Sequence, residues 1–179
     1  MNFNPFPKIT TKRLLLRKIE ESDAAIILFL RSDESVTKYI ERPESRKTKN
    51  ISDAIKFIKE LDGYIENNKS IAWGITLKNN PKIIGTICLW NFSENKKIAE
   101  VGYDLIPEFQ SLGIMSEALK SVIHFGFKDL KLDSIEAYTH KENENSKKLL
   151  EKNDFVFMKN RKDLTNQFNM IYELNKVDS

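Results

Sequence analysis

Cysteine is almost missing from the chain. Cys88 is the only one, so no disulfide can form within it, and the sequence predicts a protein of a reducing compartment. Histidine is scarce too: His124 and His140 have no partners at ligand spacing, and no metal is expected. The longest uninterrupted apolar run, Ala24–Leu30, falls far short of the roughly 20 residues a bilayer span needs. Met1–Pro7 has neither the basic start nor the apolar core of a secretory signal. A cytoplasmic protein that does not engage membrane is expected. With six glycines and five prolines, no linker or low-complexity tract divides the 179 residues, and residues 1–179 read as one domain. Charge of one sign is also lacking. There are 29 basic and 26 acidic side chains, a net +3, which does not mark a nucleic-acid binder but suits a modest basic pocket for an anion.

What is present is a globular balance, 40% hydrophobic and 31% charged, with two periods in its apolar pattern. Leu14–Arg17 reads as a short strand. Ser22 and Asp23 are read as caps of a helix running to about Arg31, and Tyr39–Asn50, polar and holding Pro43, reads as a loop. Ile51, Ile55, Ile58 and Ile65 recur at helical spacing. The period then changes to two: Ile71–Leu77, Ile83–Phe92 and Ile98–Ile106 read as three strands, the last stopped by Pro107. Met115, Leu119, Val122, Ile123, Phe127 and Leu130 mark one helical face. A strand at Ile135–Thr139, a helix from Asn143 to Lys152, and alternation at Phe155–Met158 and Phe168–Leu174 complete the chain. The expected class is α/β or α+β: a mixed sheet of six or seven strands with about four helices.

The most informative junction is strand, loop and helix over Ile98–Ala118. A helix N-terminus offers unpaired N–H groups and a positive dipole end, and a glycine there admits a phosphate close to the backbone. Gly113 on its own fits an ordinary strand-to-helix turn equally well. The loop has neither the lysine of a P-loop nor the three glycines of a dinucleotide fingerprint.

Three segments carry a family resemblance. Thr11–Arg17 (Thr-Lys-Arg-Leu-Leu-Leu-Arg) opens the first strand. Glu100-Val101-Gly102-Tyr103 leads into Gln110–Ala118, which is similar to a Gln/Arg-x-x-Gly-x-Gly/Ala pyrophosphate motif. Asn143-Glu144-Asn145-Ser146 is followed by Glu151-Lys152-Asn153-Asp154-Phe155. Together, in this order and spacing, they resemble the GNAT acetyltransferases, specifically the branch of ribosomal-protein N-terminal acetyltransferases. The resemblance implies a GNAT-like, mostly antiparallel sheet, acetyl-CoA as co-substrate, and acetyl transfer to a primary amine by direct attack in a ternary complex. The implied acceptor is a protein or peptide N-terminus, with a small-molecule amine as the alternative, and the implied state a monomer or homodimer. It also implies pyrophosphate on the backbone of Gln110, Ser111, Leu112, Gly113, Ile114 and Met115, and pantetheine along Leu105–Ile106 and Asn143. Ser146 would protonate the departing sulfur, and Glu100 would be the general base. Leu150 stands where the wider superfamily has a tyrosine donor. Ser111, Met115 and Asp154 depart from small residues of the pattern; the first two would crowd the phosphate loop, while aspartate tolerates a left-handed turn.

Each residue also has a plainer reading. Asn143 can be a helix N-cap, Ser146 an early-turn polar residue, Glu100 an exposed strand charge, and Glu117 a carboxylate favoured by the helix dipole. Cys88, mid-strand, reads as a small buried residue, and Trp90 as core or as acceptor-pocket wall. A non-catalytic acyl-CoA-binding module and a nucleic-acid binder using Arg42–Lys49 are the competing functions. The acceptor surface is expected from Lys38–Ile65 and Asp163–Asn169, with a basic rim at Glu41–Lys49 and Arg161–Lys162.

Overall fold

The computed structural model describes residues 1–177. In chain order the elements are β1 (Ile9–Thr10), β2 (Leu14–Arg17), α1 (Ala24–Ser32), α2 (Glu34–Thr37), α3 (Ile51–Glu66), β3 (Ile71–Leu77), β4 (Asn80–Trp90), β5 (Ile98–Leu105), α4 (Ile114–Lys128), β6 (Ser134–His140), α5 (Glu144–Lys152), β7 (Val156–Phe157) and β8 (Asn169–Asn175). The strands form one sheet in the order β1-β2-β3-β4-β5-β6-β8-β7. The mixed α/β class stands. Eight described strands replace the expected six or seven, and the five α-helices include the one-turn α2. Two-residue β1 and four-residue α2 are too short to show a period.

Local chemistry explains the boundaries. The Asn50 side chain accepts the Asp53 amide at 3.0 Å and caps α3. Asp23, expected as a cap, instead takes the Arg17 guanidinium in two bonds of 2.8 and 2.9 Å, while α1 follows a 3₁₀ turn at Glu21–Asp23. Asp154 adopts φ +66, the left-handed conformation expected of it, just past α5.

Helices cover both faces of the sheet, so β3 is buried from Ile71 to Thr76. On one face Trp73, Ile75, Leu89 and Val101 pack with Leu119 and Val122 of α4 and Leu150 of α5. On the other, Ile19, Ala72 and Ile83 pack with Ile27 of α1 and Ile58 of α3. Burial of these side chains contributes about 1.5–3 kcal/mol each for the larger ones.

One junction differs from the rest. β5 and β6 are parallel, and they pair only at Ile98↔Ser134, Ala99↔Ile135 and Glu100↔Glu136. Beyond that rung β5 stays bonded to β4 as far as Leu105, and β6 to β8 as far as His140. The two strands therefore diverge into a wedge.

Candidate active site

The last paired rung puts Glu100 at the vertex of the wedge. Alternation along β5 turns Ala99, Val101 and Leu105 into the core under α4, with Tyr103 packed against it, and turns Glu100, Gly102 and Asp104 to the α1/α3 face. Burial pushes the Glu100 carboxyl up to about 7. A 3.4 Å bond from the Asn91 amide opposes this, and the negative fields of Glu136 and Asp163 reinforce it. A carboxylate tuned near neutrality suits proton abstraction better than an ordinary surface glutamate does. Trp90, the β4 partner of Glu100 in register, is 42% exposed, which removes it from the core.

Ser146 lies in the first turn of α5 and is buried. Its hydroxyl meets that of Tyr103 at 2.8 Å. Asn143 caps the same turn, its Oδ1 accepting the Ser146 amide at 3.1 Å, so the plainer reading of Asn143 is realised and its side-chain NH₂ is left to donate elsewhere. Leu150 is fully buried. Glu100 and Ser146 thus flank the wedge from opposite faces of β5.

The backbone at the wedge is partly engaged. Ile106 donates to Ile84 O at 2.9 Å, so alternation turns the N–H and C=O of Leu105 and Tyr103 toward β6. The Leu105 carbonyl accepts Gln110 Nε2 at 3.1 Å. The open groups of the β5 edge are therefore the Leu105 N–H and both backbone groups of Tyr103, while both groups of Ile106 are engaged, the amide on Ile84 O and the carbonyl by the Phe109 amide.

The loop after β5 runs through a 3₁₀ turn, Pro107–Phe109, into α4. The Gln110 amide closes that turn on Pro107 O at 3.0 Å, which withdraws it from the expected cradle. Ser111 and Gly113 both take left-handed backbone, φ +60 and +73. Gly113 adopts that conformation without the strain a side chain would bring; a Cβ there would meet only the Arg13 guanidinium, at 3.5 Å. The α4 ladder starts with Glu117 N–H to Gly113 O at 3.1 Å, so the amides of Ile114, Met115 and Ser116 have no carbonyl one turn back. Ile114 and Met115 offer backbone alone. Their side chains are buried in the core, so Met115 does not crowd the loop. Leu112 is exposed.

The turn between β1 and β2 holds this loop from outside. Glu117 accepts the Thr11 hydroxyl at 2.6 Å, the Arg13 amide at 2.8 Å and Arg13 Nε at 2.6 Å, while Arg13 Nη1 donates to Leu112 O at 2.9 Å. Desolvation would raise the Glu117 carboxyl; those donors outweigh it and hold it at about 2.

Above the wedge, Tyr39 and Phe168 pack against His140, with ring centroids 5.3 and 5.7 Å away, and Asn166 Nδ2 donates to Glu41 Oε2 at 3.1 Å. Segments expected to form the acceptor surface do meet there. Arg161 is no free rim cation: it bridges Glu136 at 2.6 Å and Glu173 at 3.0 Å, beside a pocket of about 500 Å³ lined by Tyr138, Asp163, Leu164 and Ile171 among others. Cys88 donates to Gly102 O at 3.6 Å, and burial pushes its thiol up to about 12, so it is no nucleophile. No group of metal-ligating side chains occurs among the described residues.

A sheet split where its one parallel strand pair parts, with unpaired helix amides below the split and a tuned carboxyl at its vertex, suits acyl-transfer chemistry. The acetyltransferase (GNAT) domain model matches residues 13–156. The chain belongs to the GNAT acetyltransferase family, and it is an acetyltransferase. Similar proteins include the N-acetyltransferase YoaA of Bacillus subtilis (strain 168), 36% identical over 152 residues, 84% of this chain and 83% of that protein. Another is the N-acetyltransferase p20 of Bacillus licheniformis, 35% identical over 149 residues, 83% of this chain and 81% of that protein. Among solved structures, a ribosomal-protein-S5-alanine acetyltransferase from Vibrio fischeri shares the fold with a TM-score of 0.79 at 24% identity, over 94% of this chain and 96% of that one. RimL, a ribosomal L7/L12 α-N-protein acetyltransferase solved with coenzyme A, gives 0.79 at 17%, over 94% and 98%.

Sequence reasoning did not assign Tyr103 a role, although it stands in the motif Glu100–Tyr103. It also missed the hold of Thr11 and Arg13 on Glu117. Alternation was the available signal for the first; nothing local announces the second.

Proposed function

We propose that this enzyme, a single domain working in the cytoplasm, moves the acetyl group of acetyl-CoA to a primary amine, by direct attack within the wedge between β5 and β6. The observation that carries the reading is the wedge itself, with Glu100 at its vertex and the amides of α4 below its β5 wall. Bound acetyl-CoA supplies the activated acyl group. Ser111–Met115 would take its pyrophosphate on backbone N–H groups, extended to Ser116, at the positive end of α4. The edge of β5 at Tyr103 and the Asn143 side chain would hold the pantetheine amides. Glu100 removes the amine proton, directly or through water, and Ser146 donates to the departing sulfur.

The proposed acceptor is a protein or peptide N-terminal amine. Asn143–Ser146 resembles the ribosomal-protein branch, and solved structures of the same fold bear names of that activity. Thr11 and Arg13 serve the phosphate loop and carry no information on the acceptor. One observation favours a small polycationic amine as the second reading: Glu100, Glu136, Glu173 and Asp163 gather near the vertex, where Arg161 is already bound by two of them. The test is a competition among an Ala- or Ser-initiated peptide, spermidine and free amino acids for acetyl-CoA, followed by thiol release and mass spectrometry. Faster acetylation of spermidine than of any peptide moves the enzyme to the second reading. Saturable coenzyme A binding without thiol release on any amine leaves a binding module.

A further inference from the structure

A lone serine is a poor source of the proton that a departing thiolate needs. Giving it up leaves an alkoxide, which is more basic than the thiolate it served. The tyrosine of the wider superfamily avoids this, but its position here is Leu150, buried in the core with no polar atom to offer. A phenol nevertheless reaches the site from the other wall of the wedge. Tyr103, on β5, places its hydroxyl 2.8 Å from Ser146 Oγ. Among the described residues this is the only hydrogen-bond partner of either side-chain hydroxyl. Two hydroxyls so paired hold two protons, and their mutual bond uses one. When Tyr103 donates to Ser146, the Ser146 proton is free to point into the wedge.

We propose that Tyr103 is the positioning residue of Ser146, and that the proton delivered to the sulfur is drawn from Tyr103 through Ser146. The inference rests on the reading that acetyl-CoA occupies the wedge. In the step, the amine nitrogen bonds to the thioester carbonyl carbon, and the nitrogen's surplus proton passes to Glu100. The C–S bond breaks with its electron pair on sulfur. Sulfur takes the Ser146 proton as Ser146 takes that of Tyr103. The negative charge ends on a phenolate, an oxygen with an ordinary pKa of about 10, instead of an alkoxide. Water restores the phenol and strips Glu100 between turnovers. Burial holds the phenol neutral, pushed up to about 12, so the donor keeps its proton at neutral pH. Tyr172 of β8 lies close by, but its own hydroxyl donates to Glu151 at 3.2 Å and does not compete.

The experiment uses the full chain as parent, Tyr103→Phe, Ser146→Ala and the double variant. The thiolate absorbance of bound coenzyme A is titrated against pH as a difference from free protein, and affinity is read by calorimetry. A donor to the thiolate favours the charged form, so bound thiol should titrate lower in the parent than in either single variant, and the double variant should match Ser146→Ala. Tyr103→Phe should bind coenzyme A within about twofold of the parent while kcat on the best acceptor falls on the order of tenfold or more. Identical thiol titrations in parent and Tyr103→Phe would overturn the proposal, as would an added loss from Tyr103→Phe in the Ser146→Ala background. Should Tyr103→Phe fail to fold, a fluorotyrosine at position 103 decides: the more acidic phenol is a stronger donor, so bound thiol should titrate lower than in the parent, and an unchanged titration overturns the proposal. Absence of coenzyme A binding in the parent would instead remove the reading on which the proposal stands.

Discussion

The phosphate loop and the acceptor rim are built in different ways. The loop is tied by its own backbone and by one shared carboxylate. Its turn closes on Pro107 O, its helix begins at Gly113, and a single carboxylate, Glu117, takes a hydroxyl, an amide and a guanidinium from the turn between β1 and β2. The rim is tied by side chains from distant segments: the rings of Tyr39 and Phe168 packed on His140, and one hydrogen bond from the Asn166 side-chain amide to Glu41. Backbone ties accept few substitutions, whereas side-chain ties can be exchanged one at a time. A cofactor common to a family and an acceptor that differs among members call for that division.

The contrast can be broken most severely at Gly113. Replacing it with Val forces a β-branched side chain into φ +73, a conformation such residues scarcely adopt. Coenzyme A affinity should fall on the order of a hundredfold or more while the far-UV spectrum stays that of the parent; unchanged calorimetric affinity would remove this loop from the cofactor site. Ser146→Ala comes next, with coenzyme A binding kept and turnover lowered about a hundredfold. A parental rate on the true acceptor would make Ser146 structural.

Glu100→Gln separates the two regions by pH. The folded Glu100 pKa of about 7 lies above its ordinary value of 4.5, so the basic form is present above about 7 and is lost as pH falls through it. The parent's kcat/KM should drop on the acid side with that inflection, and the variant should lack it. The same shift makes ionised Glu100 unfavourable to the fold, a penalty absent below the unfolded value and complete above 7. The variant should therefore gain Tm at pH 8 and nothing at pH 4, and an equal gain at both would contradict the assignment. The mildest change belongs to the rim. Asn166→Ala removes two exposed bonds, its own to Glu41 and the one its Oδ1 accepts from the Phe168 amide, and should cost about 1 kcal/mol or less. It should raise the acceptor KM and leave coenzyme A affinity alone, and an effect on the cofactor would erase the distinction between loop and rim.

Much of this was legible in the chain. The switch from helical to alternating period located β3, β4 and β5, and Pro107 marked the end of β5. Asp154 in a glycine position signalled a left-handed turn, which it adopts at φ +66. Met115 carries a sharper lesson. It begins the apolar series that continues through Leu119 and Val122, so helical spacing already placed it in the core. Reading it through the phosphate motif turned it toward the ligand, and the helix face decides the matter. What stayed hidden depends on distance along the chain. Thr11 and Glu117 stand 106 residues apart, and no periodicity connects them. The hydroxyl pair of Tyr103 and Ser146 spans 43 residues and exists only because β5 and α5 border the same gap.

The three rungs between β5 and β6 have a mechanical consequence. They join two stiff antiparallel plates, one ending in β5 and the other beginning with β6, as a hinge joins two doors. From Glu100 to Leu105 the strand extends about 16 Å, so each degree of splay at the hinge moves the far end by about 0.3 Å. Ala99 and Ile135, paired on the middle rung and both fully buried, are the hinge pin. A single methylene added at Ala99 would reset the gauge of the gap along its whole length without touching a residue that meets a substrate.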